Sequence, residues 1–163
     1  MNLFRLFLLC FLLHPTLVEA LERGPKGSIV EKTKSETIYR GVVFAEVDNG
    51  PLSLDLYLPK KKESYPYLVV FFHGGSWRSG SKESCQVRWL VRHGYAVASV
   101  GYRKSHEAQF PVILHDCKGA IRFLRAHADI LGIRTERIAV AGASAGGHLA
   151  LLLATSGGVE ELE

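Results

Sequence analysis

The sequence predicts an α/β domain built on a doubly wound, mostly parallel sheet that follows an antiparallel hairpin. Three observations carry this expectation. Residues 67–72, 95–100 and 138–141 are short, continuous apolar runs rich in Val, Ile and Phe, the composition of strands covered on both faces. Segments with helical spacing of apolar residues alternate with those runs, the pattern of parallel strands joined by crossovers. Ahead of them, Leu52, Leu54, Leu56 and Leu58 alternate with Ser53, Asp55 and Tyr57, as in a strand with one wetter face.

Residues 1–20 stand apart from the rest. Arg5 precedes an apolar run from Leu6 to Leu13, His14-Pro15 breaks it, and Val18-Glu19-Ala20 has the small-x-small form of a cleavage site. This is the pattern of a secretory signal peptide, too short for a stable membrane span, and it predicts a secreted or periplasmic protein. Leu9 before Cys10 is not the small residue that a lipoprotein signal wants. Residues 21–36 are polar, carry no apolar period and are expected to form a flexible arm. The domain is then residues 37–163.

Residues 37–47 and 52–58 read as the hairpin, turned at Asn49-Gly50-Pro51 and ended by Pro59. Lys60-Lys61-Lys62 follows as solvated surface. A formal net charge of +4 over 163 residues is mild and scattered, which excludes a nucleic-acid footprint. After the strand at 67–72 comes His73-Gly74-Gly75-Ser76-Trp77. Residues 82–93 are predicted helical, with Val87, Leu90 and Val91 on one face and His93-Gly94 as the C-cap. A loop over 101–110 leads to Pro111 at a helix start. Ile113, Cys117, Ala120, Ile121, Leu124 and Ala128 mark the apolar face of that helix, Gly132 closes it, and Arg137 opens the last strand. Cys85 and Cys117 would be compatible with a disulfide in an exported chain. Both lie in apolar-periodic segments, however, and are expected to be free buried thiols.

The pentapeptide Gly142-Ala143-Ser144-Ala145-Gly146 joins the last strand directly to a segment rich in Ala and Leu, and fits the G-x-S-x-G nucleophile elbow. A strand that turns at once into a helix forces its central residue into a strained conformation. The Ser144 hydroxyl then stands at a helix N-terminus, whose free N–H groups favour developing negative charge. Isolated, the same five residues would make an ordinary small-residue turn; the flanking strand and helix favour the elbow. Gly74 and Gly75, after an earlier strand, offer bare backbone N–H groups at the end of the sheet where open α/β folds place ligands.

The pairing of these two stretches resembles the α/β-hydrolase superfamily. More narrowly it resembles the HGG-type secreted esterases and lipases, similar to feruloyl and acetylxylan esterases that act on carbohydrate esters. His73-Gly74-Gly75-Ser76-Trp77 matches an HGGxW oxyanion motif, and Gly142 to Ala150 matches an extended GxSAGGHLA elbow. Gly101-Tyr102-Arg103, Phe110-Pro111 and His115-Asp116 look like intervening landmarks, so the resemblance covers residues 37–163. It implies Ser144 as nucleophile and the N–H groups of Ala145 and of Gly74 or Gly75 as an oxyanion hole. His73, Trp77, Gly142, Gly146 and His148 would support those motifs. It implies a small-molecule or carbohydrate-linked ester as substrate, and neither metal nor organic cofactor.

One feature departs from that family. Its triad places an Asp or Glu and then a His after the serine, on loops following later strands. Here the chain beyond the elbow helix holds Glu160, Glu161 and Glu163 but no His. His148 lies on the elbow helix itself and Asp116 on the Pro111 helix, and both are expected to be structural. His73 is expected to buttress the oxyanion loop and Trp77 to pack beneath it, and the remaining histidines show no metal-ligand spacing. The expectation is therefore the N-terminal part of a longer ester hydrolase, with the 163 residues themselves inactive. The alternatives are a non-catalytic remnant or binding protein of the same fold, an arylformamidase-like amide hydrolase (which the signal peptide disfavours), and more weakly a peptidase. Oligomeric state has no signature in the sequence.

Overall fold

The hairpin and the parallel strands merge into one mixed sheet. A computed structural model describes residue 25, residues 28–60 and residues 64–162. The predicted signal peptide, and the arm as far as residue 24, lie outside the described residues. The strands are β1 (Ile29–Lys32), β2 (Glu36–Val47), β3 (Gly50–Pro59), β4 (Tyr67–Phe72), β5 (Ala96–Val100) and β6 (Arg134–Gly142), ordered β1-β2-β3-β5-β4-β6 across the sheet. The helices are α1 (Val112–Ala126), α2 (Ala128–Leu131) and α3 (Ala145–Thr155). The parallel block is β5-β4-β6, while β1, β2 and β3 run antiparallel to their neighbours and β3 pairs with β5.

Alternation along the strands assigns the two faces. Leu68, Val70 and Phe72 of β4 and Ala96, Ala98 and Val100 of β5 are buried with Ile113, Cys117, Ala120 and Leu124 of α1 and Leu149 of α3. Val69 and Val97, pointing the other way, pack with Ile38, Tyr57 and Val91. Each fully buried Leu, Val or Phe contributes about 1.5–3 kcal/mol relative to exposure. That is why these runs tolerate no polar residue beyond the hydroxyl of Ser99. Cys117 and Cys85 are both free and belong to opposite faces, Cys85 only partly buried.

Three expectations are corrected. Ile29–Lys32, within the segment expected to be a flexible arm, forms edge strand β1. It is mostly exposed and pairs with β2, where Arg40 Nε meets Glu31 Oε1 at 2.6 Å. Residues 82–87 are not helical, and the segment holds only a 3-10 turn at Arg88–His93. Its start is pinned by tertiary bonds instead: Ser99 Oγ donates to the Lys82 carbonyl at 2.6 Å, and Lys82 Nζ pairs with buried Asp55 at 3.0 Å. The helix from Pro111 breaks at His127, whose Nδ1 donates to the Phe123 carbonyl at 2.9 Å, and resumes as α2.

What positions a site is the register of β4 and β6. Phe72 pairs with Gly142, the last residue of each strand. The loops that follow, His73 onward and Ala143 onward, therefore leave the sheet side by side at its carboxyl end.

Candidate active site

At the elbow the chain turns from β6 into α3 within two residues. Ser144 sits at φ 49°, ψ −116°, a region that costs a non-glycine residue about 1–3 kcal/mol. The turn is held by the Gly146 N–H donating to Ala143 O at 2.9 Å and the His148 N–H donating to Ser144 O at 3.0 Å. Gly146 is where α3 meets β4: a Cβ there would run into Phe72 O and stand 2.6 Å from His73 O. Ser144 itself is exposed. Ala145, first residue of α3, has no intrahelical acceptor for its N–H.

The glycine loop closes on the serine from the β4 side. A Cβ on Gly74 would lie 2.9 Å from Ala143 O and 3.5 Å from Ser144 Cβ, so only bare backbone fits. Beyond it the Arg78 and Ser79 N–H groups donate to Gly75 O at 2.9 and 3.0 Å, and Ser76 and Trp77 both take positive φ. Trp77 departs from expectation. Rather than packing beneath the loop it is 37% exposed, and meets the ring of His148 edge-on at 5.5 Å. Ser76, Trp77, Phe110, Ile113, His148 and Leu149 border an open cleft of about 660 Å³.

His73 is buried and stacks on Tyr102 with ring centroids 4.3 Å apart, while the Tyr102 hydroxyl donates to His73 O at 2.6 Å. Burial pushes the His73 imidazole pKa below its ordinary value, against the raising effect of its bond to Gly74 O. It is thus a neutral buttress of the glycine loop. Burial likewise lifts the Tyr102 phenol to about 12, which keeps it a donor. Sequence reasoning assigned no role to Tyr102 beyond a landmark and none to Lys104, whose Nζ lies 3.4 Å from His73 Nε2. Neither has periodicity or motif spacing that would point to the loop 30 residues earlier.

Among the described residues no base is hydrogen-bonded to Ser144. Among the described residues Ser144 Oγ has no histidine partner, and His148 is exposed on α3 against Trp77. Asp116 is fully engaged by Arg103, which donates from its backbone N at 3.1 Å, from Nε at 2.9 Å and from Nη2 at 2.5 Å. It has a structural role. Among the described residues no group of three or more His, Cys, Asp or Glu side chains is arranged to hold a metal ion, and no helix is long and apolar enough to cross a membrane.

A mixed sheet with a serine at a strand–helix elbow, flanked by a bare glycine loop from the neighbouring strand, defines the α/β-hydrolase class of esterase- and lipase-like proteins. Comparison with known proteins agrees. The chain is 36% identical over 113 residues to arylacetamide deacetylase-like 3 of Mus musculus, covering 67% of this chain and 28% of that protein. Among solved structures it matches a bifunctional GH43-CE protein of Bacteroides eggerthii at TM-score 0.69 and 36% identity, over 76% of this chain and 18% of that one. It also matches the thermophilic esterase Est2 of Thermogutta terrifontis at TM-score 0.62 and 32% identity, over 78% of this chain and 44% of the esterase. The BD-FAE family profile matches residues 54–163, and the chain belongs to that family. It spans less than half the length of each of these relatives.

Proposed function

We propose that this chain carries the nucleophile and oxyanion hole of a serine carboxylic-ester hydrolase. The observation that carries the reading is the strained Ser144 beside Gly74, with Ala143 O and Ser144 Cβ at contact distance from the position a Gly74 side chain would take. Ser144 Oγ would attack the ester carbonyl and transfer its proton to a general base. The tetrahedral oxyanion would accept hydrogen bonds from the N–H groups of Ala145 and of Gly74 or Gly75. Collapse would release the alcohol and leave an acyl-serine, which water hydrolyses to the acid. The base and its orienting carboxylate are supplied by none of the described residues. The substrate is a small-molecule or carbohydrate-linked ester, a reading supported by the likeness to the esterase Est2 and to the bifunctional GH43-CE protein. The predicted signal peptide supports export.

The test has two parts. Sequencing the reading frame past the Glu163 codon is expected to reveal an Asp and then a His in loops. In the protein so encoded, Ser144→Ala is expected to lower nitrophenyl acetate turnover by about 10³-fold or more. Turnover unchanged by that substitution would refute the assignment. The 163 residues alone are expected to show negligible turnover.

A further inference from the structure

Behind the glycine loop, His73 and Lys104 form a chain of hydrogen bonds that ends on the backbone beside Ser144. His73 Nδ1 lies 2.7 Å from Gly74 O. Its Nε2 lies 3.4 Å from Lys104 Nζ, a long hydrogen bond, and the same Nζ donates to Tyr102 O at 2.8 Å. Lys104 Nζ also stands 4.8 Å from the centroid of the Tyr102 ring on which His73 stacks.

The partners fix the protons. A carbonyl oxygen only accepts, so Nδ1 carries the hydrogen; an ammonium only donates, so Nε2 offers its lone pair. The imidazole is neutral and held in its Nδ1–H form. That form matters because Gly74 C=O shares one planar trans peptide with Gly75 N–H, and the two point in opposite directions. Anchoring the carbonyl on the His73 side turns the Gly75 N–H away from it. The other side of the anchor is also packed: a Cβ on Gly80 would run into Gly74 O and lie 2.7 Å from His73 Nδ1. With Nε2–H instead, the Nδ1 lone pair would face the carbonyl lone pairs and the anchor would be lost.

We infer that Lys104 is a positioning residue for the oxyanion donors, its ammonium reinforcing from the Nε2 side the His73 tautomer that the Gly74 carbonyl requires, and so steadying the Gly74–Gly75 peptide. The inference rests on reading that peptide as part of the oxyanion hole, but its test uses no substrate. In ¹⁵N-labelled protein at pH about 8, above the ordinary histidine range, the His73 ring nitrogens are expected to report Nδ1–H. Lys104→Met is expected to populate Nε2–H alongside Nδ1–H and to shift the Gly75 amide resonance, while Lys104→Arg, which still donates, keeps both signals as in the native protein. Nε2–H in the native protein overturns the inference, and this readout decides even if Lys104→Met does not fold. A Lys104→Met protein with unmoved His73 and Gly75 signals overturns it too, as does an Arg variant that populates Nε2–H as the Met variant does. A Ser144→Ala protein that retained esterase turnover would sink the functional assignment while leaving every one of these signals in place.

Discussion

The elbow and the glycine loop meet at one point but are specified in different ways. The elbow is local: strand, five residues and helix are contiguous, and two short-range backbone bonds hold Ser144 in its strained geometry. The glycine loop is held from a distance, through the Tyr102 hydroxyl, the Lys104 ammonium and the approach of Ala143 O to Gly74. A nucleophile must be aimed by its own backbone, whereas donors for a developing charge need only be prevented from turning away. The first can therefore be encoded in a motif. The second depends on what the fold places behind it.

The elbow and the glycine loop share a seam at Gly146, and the largest effect is expected there. Gly146→Ala puts a methyl group against the carbonyls of both Phe72 and His73. It is expected to cost about 3 kcal/mol or more of stability, read as a fall in the urea midpoint. Tyr102→Phe touches only the glycine loop, leaving the buried His73 carbonyl without its donor while the ring stacking remains. A loss of about 1–2 kcal/mol is expected in the same measurement. Ser144→Gly against Ser144→Ala probes the elbow alone: the glycine variant should be the more stable by about 1 kcal/mol, because it relieves the positive φ. Equal stabilities would show that the elbow stores no strain.

The smallest effect is on pH. Burial lowers the His73 pKa in the folded state, so the unfolded chain binds the proton more readily. The stabilisation is therefore complete above the unfolded value of about 6.5 and declines as pH falls below it. Urea midpoints at descending pH should show this decline in the native protein and a shallower one in His73→Gln. A native profile no steeper than that variant's would assign the acid sensitivity elsewhere.

Much of this was legible in order along the chain. The apolar runs that became β4, β5 and β6, the alternating leucines of β3, the apolar stripe of α1 and the elbow all depend on composition and spacing within about fifteen residues. β1 was hidden because its exposed edge position needs no apolar period; its order comes from pairing with β2 and from the Arg40–Glu31 ion pair. The segment from Lys82 has helical spacing, yet Ser99 and Asp55 hold it in another shape. The contact of Trp77 with His148 was likewise out of reach, because it joins residues far apart in the chain and no local pattern announces it.

The place of Ser144 at the mouth of a helix follows from local pattern, because glycine spacing and a strand–helix junction act on neighbouring backbone. The approach of Gly74 to that serine comes instead from strand pairing. The Phe72–Gly142 register that brings them together joins residues 70 positions apart, and contacts at that separation are set by how the strands pair rather than by any local pattern. The same holds for Lys104, whose ammonium reaches His73 only once β4 and β5 lie side by side.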